Sequence, residues 1–272
     1  MNRAKVGFFS FTEITDPNEH RAYNEWHQLD HLPEQHQIPG VAHGQRWVST
    51  PACRAARAVD DDLGGRLHYV TLYLMTDPVP ATLDAFAELG RRLAELGRFH
   101  RHRRAHLVGA WHVLEAHAAP RVQISAETVP WRPHRGIYVV VEQPTAQLTP
   151  GEGGSGTRLD AWVRWVHERH VADLLAVDGV AGVWSFATSP LYTNSTWQMR
   201  DSRITVCWLD GDPLEVAAEI RPFLDERWDG APVWPLIAGP WETITAEDWS
   251  WFDGDAPAEA RGGPAAGGRG DR

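Results

Sequence analysis

The sequence predicts an α+β protein built from two equivalent halves. The main evidence is an internal repeat. The segment WHQLDHLPEQHQIPGVAHGQRWVSTP, which starts at Trp26, aligns without a gap with WVHERHVADLLAVDGVAGVWSFATSP, which starts at Trp165. In this alignment His31 matches His170. A second pair of similar segments follows, GAWHVL in the first half and GPWETI in the second. A repeat of this length indicates that one structural unit occurs twice.

The first half shows strand and helix signals in the order β-α-β-β-α-β. The aromatic-rich segment KVGFFSF at 5–11 is typical of a strand, and Asp16-Pro17 then marks the start of a helix over 18–36. Pro33 is expected to kink or end that helix. The remaining elements are a strand over 41–49, a loop over 51–65, a strand over 66–75, a helix over about 80–98 and a strand over 105–115.

The second half repeats this order. Asp212-Pro213 marks a helix start as Asp77-Pro78 does in the first half. The predicted elements are strands over 135–142, 180–188, 202–209 and 235–245, and helices over 159–175 and 213–227. We therefore divide the chain into a first unit (1–117), a linker (118–133), a second unit (134–252) and a tail (253–272). The tail is expected to be disordered because it has little apolar surface to bury.

The split β-α-β order is typical of a ferredoxin-like unit, in which helices cover one face of a four-stranded antiparallel sheet. Two such units can stack their sheets or join them edge to edge into a barrel. The repeated residues resemble the dimeric α/β-barrel superfamily, here fused in tandem, and within it the EthD-like proteins. The resemblance rests on Tyr23, Trp26, His31, Pro39, Gly40 and Val41, and on Trp162, Trp165, His170, Gly179 and Val180. The second copy departs from the pattern at Asp178, which replaces Pro39. The resemblance implies an intramolecular dimeric α/β barrel.

Composition narrows the classes of partner. The chain has 26 basic and 36 acidic residues, a net charge of −10, which disfavours nucleic acid and anionic membranes. No apolar stretch is long enough to cross a membrane, and the amino terminus lacks a signal-peptide pattern. The two cysteines are far apart, as is usual in a reduced, cytoplasmic protein. We expect a small-molecule substrate. Fusion of two units leaves both a monomer and a homodimer open.

Histidines on the first helix of each unit are the candidate catalytic residues. Tyr23, His27 and His31 lie on one helix face, four residues apart, and imidazole exchanges protons near neutral pH. We assign His31 as the acid or base, with His27 or Tyr23 orienting it or binding a substrate oxygen. Valine replaces His27 in the second copy, at Val166, which favours one working pocket in the first half. The alternative is that His31 and its match His170 only cap the helix end.

Other residues are candidates for substrate binding. Trp26 and Trp47 are expected to form apolar walls, and His43 and Arg46 to point into the same pocket. His170 and Trp165 are the corresponding candidates in the second unit. The arginine-rich run at 91–106 is suited to an anionic substrate tail, but such a run is more typical of a solvated helix end.

The sequence favours a protein without metal or cofactor. His27 and His31 have the spacing of two metal ligands on a helix, but residue 28 is glutamine where metalloproteases have glutamate. The resemblance keeps haem open, because some tandem members, such as chlorite dismutase-like and dye-decolourising peroxidase proteins, bind haem through a helix histidine. We expect no metal site and no cofactor, with haem as the alternative.

The resemblance and the candidate residues together predict a function. We expect a cofactor-independent enzyme of lyase or cyclase type, acting in biosynthesis on a small hydrophobic, aromatic or polyketide-like molecule. Its histidines would transfer protons in a dehydration, decarboxylation or cyclisation. Two alternatives stay open: a haem-dependent or cofactorless oxygenase or peroxidase-like enzyme, and a small-molecule-binding protein without catalysis.

Overall fold

A computed structural model describes residues 3–60, 64–145, 155–188, 201–245 and 249–253. The predicted disordered tail lies, except for Asp253, outside these residues. No helix within the described ranges is long and apolar enough to cross a membrane.

The first unit contains five strands and four helices in the described residues. They are β1 (Ala4–Ile14), α1 (His20–Trp26), α2 (Leu32–His36), β2 (Val41–Val48), α3 (Pro51–Ala55), β3 (Val59–Asp60), β4 (Tyr69–Thr76), α4 (Val79–Glu95) and β5 (Arg103–Ala118). Two details differ from the prediction. The segment 51–65, expected to be a loop, includes α3 and β3. Thr50 caps the amino end of α3 by accepting from the Cys53 amide. The last strand is also longer than predicted.

The second unit follows the predicted order. Its elements are β6 (Gly136–Pro144), α5 (Ser155–Trp165), α6 (Val171–Ala176), β7 (Val180–Thr188), β8 (Arg203–Leu209), α7 (Pro213–Trp228) and β9 (Val233–Thr243). The segment between the units contains two short 3-10 turns, Pro120–Val122 and Ala126–Trp131. Asp212 accepts hydrogen bonds from the amides of Leu214 and Glu215, so the expected helix start at Pro213 has its cap.

The strands form one closed antiparallel barrel. Eight strands follow one another in the order β2-β4-β1-β5-β7-β8-β6-β9, and β9 pairs again with β2. The two-residue strand β3 also pairs with β9. Each unit supplies four neighbouring strands, and the units join at β5–β7 and β9–β2. Closure removes the unpaired sheet edges that each unit would otherwise expose. The protein is therefore an intramolecular dimeric α/β barrel of two ferredoxin-like units, as predicted.

Residues that match in the sequence repeat also pair at equivalent positions in the sheet. Gly7 pairs with Trp111 between β1 and β5, and Ile137 pairs with Trp241 between β6 and β9. The tryptophans of the GAW and GPW segments therefore take equivalent positions. Both are fully buried inside the barrel. Many tryptophans fill this interior. Of those that the structure describes, five are fully buried there: Trp47, Trp111, Trp184, Trp208 and Trp241.

A π-helical turn interrupts the first helix of each unit. It spans His27–His31 between α1 and α2, and Val166–His170 between α5 and α6. Pro33, which was expected to kink or end the helix, does not end it: it lies in the first turn of α2, which continues to His36, the predicted boundary. The second turn contains no proline nearby, so proline is not the common cause. Single π turns are frequent at functional sites, and here both end at a histidine of the repeat.

Candidate active site

A cavity of about 860 Å³ lies in the first unit, between the sheet and the helices that cover it. This volume is within the usual range for small-molecule pockets. Its polar lining includes Ser10, His27, His31, Gln35, Thr71, Tyr73 and Arg103, and its apolar lining includes Phe8, Phe86, Phe99 and Val108. The cavity thus brings together the two histidines that the sequence singled out.

His27 is held from behind by Tyr23. The Tyr23 hydroxyl lies 3.0 Å from Nδ1 of His27, and both side chains are buried. Nε2 of His27 is buried and has no hydrogen-bond partner among the described residues. Buried polar atoms are normally paired, so an unpaired ring nitrogen on a cavity residue suggests a bound partner.

His31 is held by an aromatic stack and by a glutamine. Trp26 lies against it, with ring centroids 4.8 Å apart and planes 19° apart. Nε2 of His31 lies 3.4 Å from the amide nitrogen of Gln35, and Nδ1 is unpaired within the described part of the chain. Trp26 donates from Nε1 to the carbonyl of Arg98, 2.7 Å away. Trp26 was expected to line the cavity. Instead it packs against His31 and holds the imidazole in place.

Both imidazoles are neutral at neutral pH. Burial is the main cause that lowers the pKa of His27 well below 6.5, helped by the charges of Arg46 and Arg103. Burial likewise lowers the pKa of His31 to about 3, with Arg103, Arg46 and Arg98 adding to the effect. A neutral imidazole has a lone pair, so either residue can accept a proton from a bound molecule.

Arg46 lies under the first helix, beside the cavity. It is 1% exposed and donates to Oδ1 of Asn24 at 2.9 Å and to Oε1 of Gln28 at 3.4 Å. Its guanidinium also lies over the rings of Tyr23 and Tyr69. These partners are all neutral, so Arg46 adds a positive charge close to the histidines without forming part of the cavity wall.

Arg103 is a cavity residue that the sequence analysis did not single out. Its guanidinium lies 4.8 Å from the ring centroid of Phe99, and burial lowers its pKa. The run at 91–106 was expected to be mainly a solvated helix end, and Arg91 on α4 is indeed exposed. Arg103, however, begins β5, where side chains alternate between faces, so it turns inward while Arg104 stays exposed. The sequence analysis began this strand at residue 105, so it did not predict that the Arg103 side chain points inward.

Two predicted pocket residues lie elsewhere. Trp47 is in the barrel interior, where its Nε1 donates to Nε2 of His134 at 3.1 Å. His43 is partly buried and contacts the ring of Trp131, 5.4 Å away. Both expectations are corrected by strand parity: residues 43 and 47 face the side of β2 opposite to Arg46.

The second unit repeats the stack but not the polar wall. Trp165 lies against His170, with centroids 5.5 Å apart and planes 27° apart. Phe8 pairs with Tyr73 in the first unit, and Tyr138 pairs with Cys207 in the second, so a thiol replaces the tyrosine hydroxyl. The repeat places Val166 and Leu174 at the positions of His27 and Gln35, and both are buried in an apolar cluster.

The second unit also contains a buried ion pair. Arg227 donates to both oxygens of Glu142 at 2.6 Å, and each side chain is about 1% exposed. Arg227 also donates to the hydroxyl of Thr205 at 3.3 Å. The register places Thr205 at the position of Thr71, whose buried hydroxyl is unpaired in the described structure. The equivalent threonines thus differ: the hydroxyl of Thr205 is hydrogen-bonded to Arg227, and that of Thr71 has no partner among the described residues.

The cavity wall does not suit haem. Nε2 of His27 and Nδ1 of His31 could each ligate iron. However, Oε1 of Gln35 and the hydroxyls of Thr71 and Tyr73 are also buried and unpaired within the described chain. The apolar face of a porphyrin would leave them unpaired, at a cost of about 1–3 kcal/mol each.

A possible metal-ion site lies outside the cavity. Asp16, Glu19 and His102 each offer one ligand atom, and these three atoms lie within 4.8 Å of one another.

Comparisons with known proteins show the fold. No family model and no curated protein matches the sequence. A provisionally assigned chlorite dismutase has a TM-score of 0.50 at 9% identity, over 93% of this chain and 99% of that one. An anthrone oxidase-like protein has 0.46 at 12%, over 90% and 94%. A provisionally assigned monooxygenase from Lactobacillus acidophilus NCFM has 0.42 at 10%, over 89% and 100%.

Proposed function

We propose that this protein is a cofactor-independent, EthD-like enzyme that transfers protons to and from a small aromatic or polyketide-like molecule. The overall reaction would be a dehydration, decarboxylation or cyclisation in the cytoplasm. One observation carries the proposal: two neutral imidazoles, each with a nitrogen that no described residue pairs, belong to residues of the same cavity. Their ring centroids are 5.1 Å apart, so one substrate can contact both.

The hydrogen bonds suggest different roles for the two histidines. When Nδ1 of His27 donates to the Tyr23 hydroxyl, Nε2 is the proton acceptor that a general base needs. When the amide of Gln35 donates to Nε2 of His31, Nδ1 carries a hydrogen and can donate a hydrogen bond to the substrate. In this arrangement Nε2 of His27 removes a proton from the substrate, and the His27 imidazolium that forms returns it. His31 stays neutral and stabilises the negative charge on the substrate between these two steps.

Two hydroxyls would complete the site. Those of Thr71 and Tyr73 are unpaired in the described structure, and both residues line the cavity. Each can donate to a carbonyl oxygen of the substrate, which stabilises the negative charge that forms when the neighbouring carbon loses a proton. The phenyl rings of Phe8, Phe86 and Phe99 offer apolar surface for an aromatic body.

Proton transfer can be measured directly with a probe that has an acidic carbon. We suggest following deuterium uptake by the methylene group of anthrone, in D₂O without oxygen, with wild type and with His27→Gln, His31→Gln and His170→Gln. The proposal expects exchange to slow by about 10²–10⁴-fold for the two cavity variants. His170→Gln is the matched control because it lies in the second unit, and it should exchange at the wild-type rate.

The same experiment separates the alternatives. Saturable binding of anthrone without accelerated exchange would indicate a non-catalytic binding protein. Oxidation of anthrone only when air is admitted, with exchange still dependent on His27, would indicate a cofactorless oxygenase that begins with the same proton removal. Equal exchange rates in wild type and both cavity variants would contradict the proposed roles.

A further inference from the structure

Arg103 brings a positive charge to the cavity without a matching negative charge. It is partly buried, and its ring contact is with Phe99. Among the residues that the structure describes, no carboxylate forms an ion pair with it. The groups that interact most with its charge are the phenols of Tyr23 and Tyr73. A cation removed from water is costly unless an anion or several hydrogen bonds compensate it.

Two other arginines, Arg91 at the cavity and Arg227 in the core of the second unit, do have such partners. Arg91, also a cavity residue, contacts Glu88 at 2.6 Å and Glu95 at 2.5 Å. Arg227, in the second unit, is paired with Glu142 at 2.6 Å. Arg103 therefore differs from arginines of this chain whose charge is already neutralised.

The surroundings of Arg103 increase the need for an anion. Arg46 adds a second positive charge, whose partners among the described residues are all neutral, and the nearby imidazoles of His27 and His31 are uncharged. The acidic residues of the cavity lining, Asp84 and Glu88, lie on α4 and are exposed to solvent. The buried side of the site is thus positive, and the exposed side carries carboxylates.

We propose that the substrate carries a carboxylate group and that Arg103 binds it, which makes Arg103 a specificity-determining residue of the site. This inference rests on the proposed function and narrows its substrate to an aromatic or polyketide-like acid. The planar guanidinium presents paired donors that match the two oxygens of a carboxylate. The neighbouring Phe99 ring would pack against the apolar part of the same ligand.

The test compares an acid with its neutral isostere. Isothermal titration calorimetry would measure the binding of 2-naphthoate and of 2-naphthamide to the full chain at neutral pH. Wild type should prefer the carboxylate by about 10- to 100-fold, the usual effect of a charge-assisted hydrogen bond. Arg103→Gln should abolish this preference while leaving the amide's affinity nearly unchanged, and Arg103→Lys should retain part of it. Arg104→Gln, at the exposed neighbouring residue, is the matched control and should bind like wild type.

Three results would overturn the inference: equal binding of both probes to wild type, no binding of either, or a preference that persists in Arg103→Gln. Should that variant fail to fold, Arg103→Met keeps the apolar stem and must lose the preference in the same way. Because the readout is affinity and not turnover, the two proposals can fail separately. If Arg103→Gln loses the preference for the carboxylate but His27→Gln and His31→Gln still exchange deuterium at the wild-type rate, the carboxylate site is supported and the catalytic role of the histidines is contradicted.

Discussion

The hydroxyl of Tyr23 lies 3.0 Å from Nδ1 of His27, one helical turn away, in a buried position. The second unit has no counterpart, because Trp162 and Val166 occupy the matching positions of the repeat. This contact is therefore a specific feature of the first unit. It fixes one nitrogen of His27 and leaves the other for a ligand.

Tyr23→Phe should destabilise the protein, whereas Tyr73→Phe should not. The first change leaves Nδ1 of His27 buried without a partner, at a cost of about 1–3 kcal/mol in the free energy of unfolding. The second removes a buried hydroxyl that has no partner in the described structure, so it costs little or is stabilising. Urea denaturation of both variants measures this difference. Equal destabilisation would mean that the Tyr73 hydroxyl is already satisfied and not reserved for a ligand.

Stability should fall as the pH drops below neutral. Burial is the main cause that lowers the pKa of His170 to about 2 and that of His68 to about 3, from a reference value of 6.5. The unfolded chain therefore binds protons below about pH 6.5 that the folded chain does not, so this stability is complete above 6.5 and declines towards the folded pKa values.

Single variants isolate each histidine's share of this pH dependence. His170→Gln should reduce the slope of unfolding free energy against pH by up to about 1.4 kcal/mol per unit, between about pH 6 and pH 4. His68→Gln should flatten it similarly. Guanidinium titrations at several pH values give the slope, and a slope identical to wild type in both variants would contradict the burial argument.

Gly40→Ala should be strongly destabilising, unlike Gly90→Ala. Gly40 has a φ of +93°, and an added Cβ would collide with Oγ1 of Thr82. Its repeat partner Gly179 has a φ of +86° and similar crowding from Val216. Gly90, inside α4, has open space at the same position, so alanine there should stabilise the helix by about 0.5–1 kcal/mol. Thermal unfolding should therefore shift in opposite directions for the two variants.

Glu142→Gln should destabilise the second unit. It leaves Arg227 buried without its carboxylate, and breaking a buried ion pair in this way typically costs about 3–5 kcal/mol. Glu88→Gln is the control, because its partner Arg91 is exposed and the change should have almost no effect on unfolding. A small effect of Glu142→Gln would show that Arg227 finds another partner or that solvent reaches it.

The repeat was enough to predict the fold. It placed equivalent histidines, equivalent strand entries and equivalent tryptophans, and the barrel follows when two four-stranded sheets join at their edges. The π turns were not predictable, because nothing in the residues of Val166–His170 marks an extra residue in the turn.

Side-chain direction was harder to predict than element order. Trp47 and Arg46 are neighbours on β2 but face opposite sides of the sheet, so a pocket containing both could not exist. Arg103 could not be identified as a cavity residue from the sequence, because it lies in an arginine-rich run and composition does not show where the helix ends and the next strand begins. The unpaired atoms of Thr71 and Tyr73 depend on contacts across the sheet, which the sequence alone does not show.

The most direct test of a single working cavity is ¹⁵N NMR of the chain with labelled histidine, titrated with 2-naphthoate. Both imidazoles of the first unit, His27 and His31, should change their ring-nitrogen shifts with one common dissociation constant, while His170 stays unchanged. A response of His170 in place of these two, or none of the three, would contradict the account.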